Sequence, residues 1–276
     1  MINLTRTNIL GQSGENPNDA LHWYAKAIDH MRGLDVRDPR SWGWWAACHQ
    51  YEFNDPDLRA FWEATYTNAA GKQQHWVTGV KEQHDTFTDS ELPYLAKCPH
   101  GSVMFLAWHR QYLLSFENML RSIITQLGGP ADWALPYWDY TTSGEANMVI
   151  PEPFLNEDSP LFYPGRVGGN YNFYKQSVES VGQVEFEEFS TKEFWSPNSV
   201  ESWPHDHIHD QVGGAMGSLP TAGLDPLFYC HHANIDRLWT FWTGLGGIVE
   251  IDDLPHIRIN NLSSNGQTDK MWLMSA

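Results

Sequence analysis

The sequence predicts a mainly α fold, a helical bundle core joined by long loops with little β structure. Three observations predict it. Segments at 18–34, 41–50, 105–127 and 225–243 repeat apolar residues at three- and four-residue spacing. Residues that start and stop helices flank them. The 276 residues are 41% hydrophobic and 14% aromatic, which suffices for a buried core without a disulfide framework and excludes disorder for most of the chain. No linker interrupts the pattern, so 1–276 reads as one domain with no C-terminal capping domain.

The first helix, within 18–34, aligns Leu21, Tyr24, Ala25, Ile28 and Met31. Asn18 or Asp19 would cap it and Gly33 would close it. Asp38-Pro39 marks a turn, and Ser41 then caps a second helix through Gln50. Residues 54–90 are polar and irregular, with a short helix at 57–67. From Phe105 a long helix places Leu113, Phe116, Leu120 and Ile124 on one face and ends at Gly128-Gly129-Pro130. Residues 141–200 are rich in Gly, Pro, Ser and Asn and read as a long excursion with a short hairpin. A short His-rich helix covers 203–212. A last helix covers 225–243, with Pro226 in its first turn and Gly244 after its end.

Composition excludes several functions. With 17 Lys+Arg against 34 Asp+Glu, the net charge is −17, which argues against nucleic acid and against an anionic membrane surface as partners. No apolar run approaches the roughly 18 residues of a membrane span. Met1 to Gly14 lacks the apolar core and cleavage site of a signal peptide, and three cysteines make no disulfide framework, so an intracellular setting is expected. The unusual counts are 14 Trp and 13 His.

The histidines gather in three places. His100 and His109 are nine apart, two and a half turns if wholly helical, so His100 belongs in a loop before the helix that carries His109. Two core histidines would show the same spacing. In Pro204-His205-Asp206-His207-Ile208-His209, His205 and His209 share a helix face and suit one ion, whereas His207 points elsewhere. His231 and His232 diverge by about 100° on their helix, so one is a ligand candidate and the other a hydrogen-bonding neighbour. His49 supplies a sixth imidazole. An all-histidine centre suits copper, iron, zinc or nickel, and six ligands suit two ions better than one.

CPHGSVMFLAWHRQYLLSFENMLR (98–121), LPYWDY (135–140), PHDHIHDQVGG (204–214) and DPLFYCHHANIDRLW (225–239) follow the DPRSW stretch before His49. In this order they resemble the type-3 copper proteins: tyrosinases, catechol (polyphenol) oxidases and hemocyanin domains. The resemblance implies a four-helix bundle around two copper ions. One is held by His49, His100 and His109, the other by His205, His209 and His232, with His231 the neighbour. His75 and His84 fall inside an unusually long gap, and His84 is the alternative to His49. Cys98, two before His100, matches a Cys-x-His thioether. Glu201 matches a carboxylate that holds a water, Asp206 stands where relatives place its Asn partner, and Leu219 matches a gate that is Phe in some catechol oxidases. Asp accepts but cannot donate as Asn does. Leu219 leaves room for monophenols, unless it is simply core.

The implied function is oxidation of o-diphenols to o-quinones by dioxygen, together with ortho-hydroxylation of monophenols. The partners are a small phenol and dioxygen, with a copper-delivery protein as a further one. Alternatives are a catechol or o-aminophenol oxidase without hydroxylation and a hemocyanin-like dioxygen carrier. A zinc hydrolase built on His205 and His209 lacks an HExxH motif and its base.

Overall fold

The computed structural model describes residues 4–67, 73–81, 86–101, 104–140, 149–167 and 200–244. Its helices form where the apolar periodicity places them. Helix α1 (Ala20–Arg32) buries Leu21, Tyr24, Ile28 and Met31. Gly33 closes it, but Asp19 does not cap it: that carboxylate accepts from Ser13 N instead, at 3.1 Å.

Helix α2 (Trp42–His49) is buried along its whole length. Ser41 Oγ accepts from Trp44 N at 3.0 Å and donates to Val36 O at 3.2 Å. Ser41→Ala removes the cap and leaves a buried carbonyl unpaired. The expected cost is about 1–2 kcal/mol, read from urea unfolding.

The short helix expected at 57–67 is corrected to α3 (Pro56–Trp62), followed by a two-stranded antiparallel ribbon. Asp55 Oδ1 caps α3 by accepting from Asp57 N and Leu58 N. The β-branched Thr65 and Thr67 then favour extended chain. Strand β1 (Thr65–Thr67) pairs with β2 (Gln73–His75), Thr65 facing His75.

Helix α4 (Met104–Gln126) buries Leu113, Phe116, Leu120 and Ile124 completely. Each contributes about 1.5–3 kcal/mol on leaving water. The hairpin expected within 141–200 is not found among the described residues there: 149–167 hold a single-turn helix, α5 (Glu152–Leu155), and 141–148 and 168–199 lie outside those described.

The 203–212 helix begins earlier, as a π-helical turn (Glu201–Asp206) that runs into α6 (His207–Val212). Proline has no N–H, so Pro204 cannot donate to Val200 O four residues back. His205 N takes that carbonyl, at 3.1 Å. One-turn helix α7 (Leu219–Ala222) and helix α8 (Pro226–Gly244) follow.

Helix α4 packs on α1 and α8, α1 on α2, α7 on α2, and α8 on the π-helical turn. The α7–α2 approach needs Gly223, where a Cβ would come within 2.9 Å of Ala46 Cα. Among the described residues no helix is long and apolar enough to cross a bilayer.

Candidate metal centre

Six structural pieces bring histidines to one place. Helix α2 ends on His49. Its last carbonyls, which lack helical partners, accept from the next strand of chain: Ala96 N to Ala47 O, Lys97 N to Cys48 O and Cys98 N to His49 O, at 2.9–3.2 Å. This pairing carries Cys98 and His100 back beside His49. Helix α4 supplies His109, and the π-helical turn, α6 and α8 supply His205, His209 and His232.

His49, Cys98, His100 and His109 form one group whose potential ligand atoms lie within 4.8 Å of one another. His205, His209, His231 and His232 form a second. The groups adjoin: the rings of His109 and His232 stack at 4.4 Å, and those of His100 and His205 lie 5.3 Å apart.

The ring nitrogens face one another because the opposite nitrogens are already engaged. His109 Nδ1 meets Phe105 O at 2.8 Å, and His209 Nδ1 meets Met216 O at 2.8 Å. His205 Nδ1 meets Asp206 Oδ1 at 2.8 Å and Glu201 O at 3.2 Å. Carbonyls only accept, so each Nδ1 carries the proton and each Nε2 presents a lone pair.

His232 Nε2 lies 3.2 Å from His209 Nε2 and 3.3 Å from His205 Nε2. Three nitrogens holding an ion tetrahedrally at about 2.0 Å stand about 3.3 Å apart. Both nitrogens of His49 and Nε2 of His100 are buried without a hydrogen-bond partner. A neutral imidazole carries one lone-pair nitrogen, so His49 and His100 each have a donor atom free to meet an ion.

Burial, and then mutual repulsion, hold His49, His109, His205, His231 and His232 well below the usual histidine range. His209 is pushed down to about 4, chiefly by burial. All are therefore neutral and able to ligate at pH 7. The metal-free protein must lose stability in acid. Unfolded, these histidines take protons near pH 6.5; folded, His209 does so only near 4. Stability present above pH 6.5 is lost as pH falls toward 4, by up to about 1.4 kcal/mol per pH unit for each such histidine. Urea unfolding of metal-free protein at pH 7.5 and 5 should show the drop.

The other predicted site residues fall as follows. The Cys98 thiol lies 3.3 Å from His109 Nε2, in the same group as His100, and burial pushes its pKa up. Glu201 Oε1 accepts from Gly101 N at 2.6 Å. Asp206 groups with His100 and His205 and is exposed at the edge. Leu219 is 44% exposed, so it is not core packing, and its carbonyl lies near His49 without reaching hydrogen-bond geometry. His231 is buried beside His232, its Nδ1 2.8 Å from Tyr140 Oη. Tyr140 is brought there by LPYWDY, whose Trp138 N donates to Cys230 O. His207 is half-buried and belongs to neither group. His75 is exposed on β2, and His84 lies outside the described residues.

Two residues were missed. Phe105 packs on the rings of His109 and His205 at 4.5 and 4.6 Å, and Phe228 on those of His232 and His49 at 4.2 and 4.8 Å. Each precedes a predicted ligand by four residues on its own helix, a spacing that shares a face.

The family profile of the common central domain of tyrosinase matches residues 39–194 and 170–245. The chain belongs to the tyrosinase family. Tyrosinase-family proteins use two copper ions, and the two histidine groups fit such a pair. The chain is 33% identical over 273 residues to tyrosinase HcTyr1 of Hahella sp. (strain CCB-MM4), covering 88% of this chain and 54% of that protein. It is 32% identical over 267 residues to polyphenol oxidase II, chloroplastic, of Ipomoea batatas, covering 81% and 39%. It thus spans about half or less of these curated relatives' lengths. The crystal structure of Grenache (Vitis vinifera) polyphenol oxidase superposes with a TM-score of 0.57 at 22% identity, over 90% of this chain and 74% of that one, a likeness of fold.

Proposed function

We propose that this chain is a dicopper phenol oxidase that uses dioxygen to convert o-diphenols to o-quinones and also ortho-hydroxylates monophenols. The observation that carries the reading is the pair of adjoining histidine groups joined by the His109–His232 stack at 4.4 Å. His49, His100 and His109 would hold one copper ion, and His205, His209 and His232 the other. Bound copper supplies the two-electron redox chemistry with dioxygen that side chains lack.

The chain's own part is ligation, placement and proton handling. Phe105 and Phe228 line the histidine groups and exclude water from them. Leu219, exposed at the start of α7 next to His49, offers an aliphatic rather than an aromatic wall to an incoming ring, which favours access by monophenols. Asp206 is the exposed carboxylate at the edge of the site, engaged with His205 and raised in pKa by burial. It is the group at hand to take a phenolic proton, and a higher pKa makes it the better base.

The test is oxygen uptake by the copper-loaded chain with 4-methylcatechol, tyramine and o-aminophenol. Quinone from the catechol and from tyramine is the expected result. Catechol oxidation with no product from tyramine would remove the hydroxylase half. Reversible oxygenation without quinone would replace the oxidase by a dioxygen carrier.

A further inference from the structure

We propose that Glu201 is a positioning residue that ties the two histidine groups together, holding His100 through its carboxylate and His205 through its main-chain carbonyl. The inference rests on the dicopper reading above.

The helix-borne histidines find their orienting partners close by in the chain. His109 uses the carbonyl of Phe105, four residues back; His205 uses Asp206 Oδ1 at 2.8 Å and the carbonyl of Glu201, four residues back, at 3.2 Å; His209 uses Met216 O, seven residues on. His100 sits in the loop before α4 and has no carbonyl four residues back on a helix to use. Gly101, the next residue, has a φ of +65° and nothing within 4 Å of where a Cβ would stand. Among the described residues, a group from outside the loop faces the ring.

That group is Glu201. Its side chain is 12% exposed, and Oε1 accepts from Gly101 N at 2.6 Å while lying 3.4 Å from His100 Nδ1. The other ring nitrogen, Nε2, is then the one left buried without a partner. His100 thus has a carboxylate at 3.4 Å on the side where its helical counterparts have a hydrogen-bonded carbonyl at 2.8–3.2 Å. A carboxylate behind an imidazole fixes its tautomer and raises its basicity as a ligand.

The π-helical turn makes the double role available. With Pro204 unable to donate and His205 N reaching back five residues to Val200 O, the widened turn sets Glu201's carbonyl 3.2 Å from His205 Nδ1 and its side chain against the facing loop. Such turns recur at functional sites. Because one residue braces a ligand from each group, ordering one group preorganises the other.

This role predicts more than holding a water would. Removing a water-holding carboxylate alters proton handling and leaves copper binding unchanged, whereas removing an orienting one weakens binding itself. The test is titration of metal-free protein with copper against a competing chelator, for wild type, Glu201→Ala, Glu201→Asp and Glu201→Gln. Glu201→Ala should weaken one of the two copper ions 10- to 100-fold and leave the other bound. Glu201→Asp, which keeps the charge but shortens the reach, should weaken the same ion and guards against a misfolded Ala variant. Glu201→Gln keeps the reach and the accepting oxygen and should restore most of the affinity. Two copper ions bound with wild-type affinity by the Ala or Asp variant would overturn the inference alone. Wild-type protein binding fewer than two ions would overturn the dicopper reading and this inference with it.

Discussion

His209→Ala is expected to bind one copper ion instead of two and to lose oxidase activity by at least roughly 100-fold, the loss that removing even an orienting partner can bring. His209 Nε2 is one of two nitrogens that lie 3.2–3.3 Å from His232 Nε2. Alanine offers no donor atom, and two nitrogens hold an ion far less tightly than three. His205 already contributes, and His231, bonded to Tyr140 through Nδ1 with Nε2 unpaired, is the one neighbour among the described residues that could take the place; a second ion kept by His209→Ala would give it that role. His109→Ala should remove the other ion, because its Nε2 faces the Cys98 side of the site, and circular dichroism should show both variants folded. His207→Ala is the control. It sits two residues from His209 on α6 but belongs to neither group, so it should keep both ions and its activity. Metal analysis with oxygen uptake checks all three, and a copper lost on His207→Ala would reverse the ligand assignment.

What was legible in the sequence follows from which signals are local. Helical periodicity is local, so α1, α2, α4 and α8 stand where the spacing put them, and Ser41 caps α2 as its position before an apolar run implies. The i, i+4 pair of His205 and His209 is local too. The misplaced strand at Thr65–Thr67 is not: its partner begins six residues beyond its end, and a three-residue strand carries almost no alternation to read. The π-helical turn was also hidden, although Pro204 beside His205 was its cause. Long-range partners were the least legible. That Glu201 faces Gly101, a hundred residues away, is fixed by the packing of α8 against the turn and against α4, not by any spacing in the chain.

Packing of that kind depends on buried charges, and Asp225→Asn is expected to cost about 3–5 kcal/mol of stability. Asp225 sits just before α8 with its side chain wholly buried, and its partner Arg166 is 4% exposed. The guanidinium meets the carboxylate with two bonds, Nε to Oδ2 at 2.7 Å and Nη2 to Oδ1 at 2.6 Å. Oδ1 also accepts from Leu227 N at 2.8 Å, capping the helix that carries His232. Arg166 further donates to the carbonyls of Phe154 and Leu161, so the pair fastens the 149–167 segment to the root of α8. An amide can form only one of the two guanidinium bonds and leaves the buried cation without its counter-charge. The cost of that charge, rather than the strength of the pair, sets the magnitude. The melting temperature should fall by roughly 10 °C. Arg166→Met is the informative companion, since it removes the cation but leaves Asp225 able to cap α8. If the uncompensated carboxylate dominates, this variant loses nearly as much as Asp225→Asn. The double variant Arg166→Met with Asp225→Asn, carrying neither charge, should then recover part of the loss. A double variant no more stable than the worse single one would mean that the pair contributes through its hydrogen bonds to the backbone and not through its charges.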